Sequence, residues 1–233
     1  LDCSTQLLYQ LLTGKYRNPD KTLKRPSADF MKRLRDFLAL EAKRYAAAGD
    51  DFIKIPTAEK VFTACELASE SHTPVIISGP SQVGKTWALR NFQANNNHGR
   101  TVLIELEAAC GLGGMIRTAA KASGISDKSN TAGLIERLKK SWTPDTLVIW
   151  DEVHLLRHTY RLNSFFACIE VIRRIYDYCQ CGMVLSWTNL KDLENASQDQ
   201  LTQIWRRGVH RFALPAMPTK ADLAAILKHH GLE

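Results

Sequence analysis

The sequence predicts an α/β fold in which a five-stranded parallel sheet is covered by helices on both faces. Three observations carry this. Short apolar runs recur at 75–78, 102–106, 147–150 and 183–187, with a weaker one at 209–214. Stretches with helical spacing separate them, at 85–95, 113–123, 132–141 and 162–178. Strands that are apolar throughout and alternate with helices belong to a parallel sheet buried on both sides.

Ahead of this pattern the chain reads differently. Residues 5–13 suit a short helix closed by Gly14, and 17–27 are polar, contain Pro19 and Pro26, and read as a linker. Ser27 is placed to cap a helix running to about Ala48, with Phe30, Met31, Leu34, Phe37, Leu38 and Tyr45 on one face. Gly49 ends it. Another helix starts near Thr57 and buries Val61, Phe62, Cys65 and Ala68, and the chain closes with an amphipathic helix at 219–230. The expected division is a basic helical arm at 1–49 and a core at 50–233.

The 233 residues suit one large domain plus a small attachment, and a hydrophobic share of 45% is enough for a core. The net charge is +7, and residues 1–49 hold ten Lys/Arg against five Asp/Glu. A basic arm on a nearly neutral body fits a polyanion partner or a merely solvated face, and composition leaves both open. No apolar stretch approaches the roughly 20 residues of a membrane span, so no membrane is expected as a partner. The six cysteines are scattered without a CxxC pair, which suits reduced core thiols and a cytoplasmic location.

The chemistry is concentrated in two places. Strand 75–78 leads into Gly79-Pro80-Ser81-Gln82-Val83-Gly84-Lys85-Thr86, followed by a helix. Strand, glycine-rich loop and helix form the context in which this pattern binds nucleotide phosphates. Gly79 and Gly84 allow backbone angles that bring N–H groups onto the phosphates, and the helix N-terminus adds partial positive charge. Lys85 is placed to reach the β- and γ-phosphates, and the Thr86 hydroxyl to bind Mg²⁺. The second place is Leu147-Val148-Ile149-Trp150-Asp151-Glu152, an apolar strand ending in two carboxylates. Asp151 would hold Mg²⁺ and Glu152 would act as general base towards the attacking water. ATP with Mg²⁺ is therefore the expected ligand. Strand 183–187 ends at Thr188-Asn189, either of which could orient that water.

Asp151-Glu152-Val153-His154 also spells the DExH box of helicases. Such helicases pair two cores, and with 81 residues after Glu152 a second core is not expected. His154 is then read as a local side chain, structural or relaying to the nucleotide.

With these residues in view, the chain resembles the AAA+ transposition ATPases, the family of phage Mu transposition protein B and, more distantly, TnsC, TniB and IstB. The resemblance rests on three stretches. Phe52-Ile53-Lys54-Ile55-Pro56-Thr57-Ala58 leads into a helix and then the phosphate-loop strand; Lys85 and Asp151 lie 66 residues apart; and Ser4-Thr5-Gln6-Leu7-Leu8-Tyr9-Gln10-Leu11-Leu12-Thr13-Gly14-Lys15-Tyr16 is similar to the end of that family's N-terminal helix-turn-helix. The chain departs from the family in an incomplete helix-turn-helix, a lid of at most one helix, and Trp187 where relatives usually carry a small residue. The resemblance implies an AAA+ core, a DNA-stimulated ATPase, and a homo-oligomer, ring or helical filament, around double-stranded DNA that activates or targets a transposase. It implies DNA contacts at Arg117 and Lys121 on the helix after the second strand, and at Lys139 and Lys140 on the next. It also implies that an arginine, Arg207 or as second choice Arg206, completes a neighbour's ATP site. Two other readings remain: a STAND- or defence-type signalling ATPase, and a replication loader or initiator ATPase.

Overall fold

The computed structural model describes residues 10, 15–18, 20, 22, 24, 26–48, 52–96, 100–158, 164–188 and 209–232. The chain divides into two compact units, residues 1–46 and 47–233. In the first, Ser27 Oγ accepts the Phe30 N–H at 3.2 Å and starts helix α1 (Ala28–Ala48), as its position in the sequence predicts. Phe30 is buried and Leu34 and Phe37 are half-buried, while Met31 and Leu38 are exposed. The expected helix at 5–13 lies, apart from Gln10, outside the described residues, as does the Tyr45 side chain. The stretch read as a linker is partly folded. Asn18 N–H donates to Thr22 O and Lys24 N–H to Tyr16 O, while Asp20 Oδ1 accepts from both the N–H and the hydroxyl of Thr22. An aspartate that mimics a backbone turn in this way orders a polar segment without any hydrophobic periodicity.

The second unit carries the sheet. Helix α2 (Pro56–Ser71) begins one residue before the expected Thr57, because Pro56 occupies the first helical position, where its missing N–H costs nothing. Then follow β1 (Pro74–Ser78), α3 (Lys85–Asn95), β2 (Thr101–Glu105), α4 (Leu112–Ala122), α5 (Thr131–Ser141) and β3 (Leu147–Asp151). A 3₁₀ turn (Val153–His158), α6 (Ser164–Cys179), β4 (Gly182–Trp187), β5 (His210–Ala213) and α7 (Lys220–His229) complete it. The strands lie in the order β2-β3-β4-β1-β5, and every pairing is parallel.

Because side chains alternate along a strand, each of β1 to β4 feeds two cores. Val75, Ile77, Leu103, Ile149 and Val184 pack with Val61, Cys65, Leu89 and Phe92 of α2 and α3. Ile76, Ile104, Val148, Trp150, Met183 and Leu185 pack with Met115, Ile116, Leu134, Leu138, Phe165 and Ile172 of α4, α5 and α6. The last strand reads weakly in the sequence because it is an edge: among the described residues it pairs with β1 alone, and His210, Arg211 and Ala213 are exposed. The five described cysteines form no disulfide, and burial pushes the Cys168 and Cys179 thiols up to about 11 and Cys181 to about 12. Cys65, Cys168, Cys179 and Cys181 are buried, as core thiols are, and Cys110 is half-buried. Among the described residues no helix is long and apolar enough to cross a membrane.

Candidate active site

The carboxyl ends of β1, β3 and β4 lie side by side in the sheet. In open α/β folds this is the end at which ligands bind. The loop after β1 is shaped by two glycines for different reasons. Gly84 caps α3 at φ 87°, in the left-handed region that glycine enters freely. Gly79 is needed for space instead: a Cβ there would stand 2.9 Å from Leu214 Cβ. Its N–H donates to Trp187 O at 3.1 Å, which fixes the start of the loop to the end of β4. Pro80, Ser81, Gln82 and Val83 complete the turn, with Gln82 also left-handed at φ 70°. The loop thus lies where the sequence placed it, with the N-terminus of α3 behind it.

Lys85 is 4% exposed, and its Nζ donates to Gly79 O at 2.7 Å and Pro80 O at 2.8 Å. Burial lowers its pKa, while the charges of Glu152 and Asp151 act the other way. Thr86 donates its hydroxyl to Asp151 Oδ2 at 2.6 Å, so the loop and the end of β3 are joined directly. Asp151 is fully buried, and its other oxygen accepts the Glu152 N–H at 3.0 Å. Glu152 itself adopts φ 58°, an uncommon conformation for this residue type. Burial raises its pKa, Asp151 adds to the effect, and Lys85 opposes it.

Thr188 follows β4 and meets His154, whose Nδ1 stands 3.2 Å from Glu152 Oε2. The structure therefore brings the loop residues, Asp151, Glu152 and Thr188 to one end of the sheet. Asn189, Arg206 and Arg207 lie outside the described residues. Arg117 and Lys121 lie on α4, with Lys139 and Lys140 on α5, and these helices pack against each other. Lys121 pairs with Asp127 at 3.3 Å, and Lys139 with Glu136 at 2.9 Å while lying over the Tyr178 ring.

Trp187 stands where the resemblance implies a small residue, and its ring is buried and packs edge-on against Phe165. Sequence reasoning missed two further features. Arg90 on α3 grips Glu105 at the end of β2 with two bonds of 2.7 and 2.6 Å, bracing the helix that follows the loop. Asp222 on α7 is fully buried and caps two helices at once. It closes a capping box with Thr219, and it accepts the N–H of Thr57, at the N-terminus of α2, at 2.9 Å. The Thr219-x-x-Asp222 spacing before an apolar run was the available signal for the box, but nothing in it pointed to Thr57.

Comparison with known proteins adds the following. The AAA domain family matches residues 68–197, more than half of the chain. The chain is 25% identical over 203 residues to the Mu-like prophage FluMu DNA transposition protein B of Haemophilus influenzae, a match that covers 84% of the chain and 66% of that relative. The chain thus spans just under two thirds of the relative's length. Among solved structures it is similar to a Walker-type ATPase of Pyrococcus abyssi, with a TM-score of 0.58 and 14% identity, covering 79% of the chain and 60% of that protein. The sequence likeness is to a transposition protein B, and the structural likeness is one of fold.

Proposed function

The chain belongs to the AAA domain family, and on that premise we propose that it binds ATP with Mg²⁺, hydrolyses it, and assembles on duplex DNA to activate or target a transposase. One observation carries the catalytic half: Lys85, Thr86, Asp151 and Glu152 converge at the carboxyl end of the sheet, with Thr86 and Asp151 in direct contact. Lys85 leaves the loop carbonyls to pair with the β- and γ-phosphates, and the backbone of Gly79, Pro80, Ser81, Gln82, Val83 and Gly84 wraps them. Thr86 and Asp151 supply the hard oxygen donors that suit Mg²⁺. The ion, when bound, neutralises charge on the transferring phosphoryl group. Glu152 takes a proton from the attacking water, and Thr188, or Asn189 beside it, orients that water. Arg207, or Arg206, covers the γ-phosphate of a neighbouring subunit.

The DNA half is supported by the likeness to a transposition protein B and by the basic residues of α4 and α5. Arg117, Lys121, Lys139 and Lys140 contact the duplex backbone, and DNA stimulates hydrolysis by favouring a ring or helical filament in which the arginine reaches its neighbour. Reduced, buried thiols suit a cytoplasmic setting. The catalytic reading is tested by two variants. Lys85→Ala is expected to lose ATP binding, and Glu152→Gln to bind ATP but stall hydrolysis. Hydrolysis at the wild-type rate in Glu152→Gln would remove Glu152 from the role of base.

A further inference from the structure

His154 has no part in the phosphate loop, yet it sits between two groups that face the same reaction. It lies on the 3₁₀ turn that follows β3. Val153 and Leu156 anchor that turn in the core, and Leu155 N–H closes it on Glu152 O at 2.9 Å. From there the ring reaches Glu152 Oε2 with Nδ1 at 3.2 Å. Thr188 Oγ1 stands 3.0 Å from Nδ1 and 3.2 Å from Nε2. Thr188 follows directly on β4, the neighbour of β3 in the sheet, so the imidazole links the ends of two adjacent strands.

The donor inventory limits the arrangements of protons the ring can carry, and one of them joins both neighbours. A neutral imidazole has one N–H and one lone pair. A bare Nδ1 would set its lone pair against the carboxylate oxygen of Glu152. With the proton on Nδ1, that N–H faces Glu152 Oε2, and Nε2 is left as the acceptor open to the Thr188 hydroxyl. The hydroxyl oxygen then keeps its lone pairs for a further donor, and Glu152 keeps Oε1.

We propose that His154 is a positioning residue that ties the Thr188 hydroxyl to the Glu152 carboxylate, so that the two hold one water between them. This rests on the reading of Glu152 as general base. The water donates one proton to Glu152 Oε1 and points the other at Thr188 Oγ1. As its oxygen bonds to the γ-phosphorus, the bond to the β–γ bridging oxygen breaks, ADP keeps that electron pair, and Glu152 holds the proton released. Without the ring, the base and the hydroxyl move independently and the productive geometry is populated less often. Misplacement of about 1 Å at a reacting group costs on the order of 10²-fold.

The test has a structural arm and a kinetic arm. Imidazole ¹⁵N spectra of the nucleotide-free chain at pH 8, assigned by loss of signals in His154→Leu, are expected to show His154 as the Nδ1–H tautomer. Thr188→Val should shift its Nε2 resonance and Glu152→Gln its Nδ1 resonance. In steady-state hydrolysis, His154→Leu is expected to lower kcat about 10–100-fold with KM, ATP affinity and Tm unchanged. His154→Gln, which keeps a donor and an acceptor, should recover part of that loss. The double variant His154→Leu/Thr188→Val should be little worse than either single one, because the two act through one chain of bonds. A His154 signal indifferent to Glu152→Gln and Thr188→Val would overturn the proposal. So would an unchanged kcat in His154→Leu, or a kcat loss that comes with a fall in Tm and ATP affinity, which marks a structural side chain. Absence of ATP turnover in the wild-type chain would instead refute the ATPase reading, and the spectra would still report whether the bridge exists.

Discussion

Replacing Asp222 by alanine removes the side chain that caps α2. Ile55, at the N-cap, offers no cap of its own, and the Thr57 N–H donates instead to Asp222 Oδ1 at 2.9 Å, across 165 residues of sequence. Asp222 Oδ2 accepts the Thr57 hydroxyl at 2.8 Å, and the N–H and hydroxyl of Thr219 at 2.7 Å each. The Thr219 groups are near solvent and can turn to water, so the loss is concentrated at Thr57, which is buried. A bond to a charged acceptor is worth about 1.5–3 kcal/mol, and relief of the desolvated carboxylate offsets part of the two that Thr57 loses. The net cost is about 3 kcal/mol, or about 6–12 °C in Tm for a chain of this size. Burial alone would raise the pKa of Asp222, but the four bonds outweigh it and hold the group down to about 2, from an ordinary 3.8. A depressed carboxylate contributes stability that is present above the unfolded value and lost as pH falls through the folded one. The difference between wild type and Asp222→Ala should therefore be full at pH 7 and shrink between about pH 4 and pH 2. Thermal unfolding followed by circular dichroism at pH 7, 4 and 2.5 measures it. An unchanged Tm at pH 7, or a difference that does not shrink at low pH, would refute the reasoning.

Two further outcomes are expected. Arg207→Ala should bind ATP as the wild type does yet lose hydrolysis by about 10³–10⁵-fold, and mixing it with Lys85→Ala protein should restore part of the activity, because each variant keeps the half-site the other lacks. Full DNA-stimulated hydrolysis in both Arg207→Ala and Arg206→Ala would place the finger elsewhere, with Arg211 the next candidate. The double variant Arg117→Ala/Lys121→Ala should weaken duplex binding without changing sequence preference, and lower the log–log salt slope by about 0.9 for each phosphate that is no longer neutralised; an unchanged slope in a filter-binding titration would remove these two residues from the DNA surface.

The sheet was legible because its central strands are apolar on both faces, as at 75–78 and 147–150, and because helical stretches separate them. The edge strand β5 read weakly for the converse reason: with one paired side and exposed residues it has no need of an apolar run. The loop was legible as a motif, but the work of its glycines was only half predicted. Gly84 supplies the left-handed turn, whereas Gly79 supplies clearance for Leu214, an approach of residues 135 apart that no local pattern encodes. The same limit hid the Thr57–Asp222 bonds and the approach of His154 to Thr188. His154 and Thr188 each stood out in their own segments, but their meeting depends on β3 and β4 being neighbours in the sheet. Trp187 shows the opposite case: a bulky residue that broke an expected pattern is accommodated in the core against Phe165.

The central claim is that ATP binding at this site drives assembly on DNA. Negative-stain electron microscopy of the chain with a long duplex, in ATP, in ADP and without nucleotide, tests it most directly, with Lys85→Ala as control. The account predicts rings or helical filaments centred on DNA in ATP alone, absent in ADP and absent in Lys85→Ala. Particles that stay monomeric on DNA in ATP, or assemblies equally abundant in ADP and ATP, would contradict it.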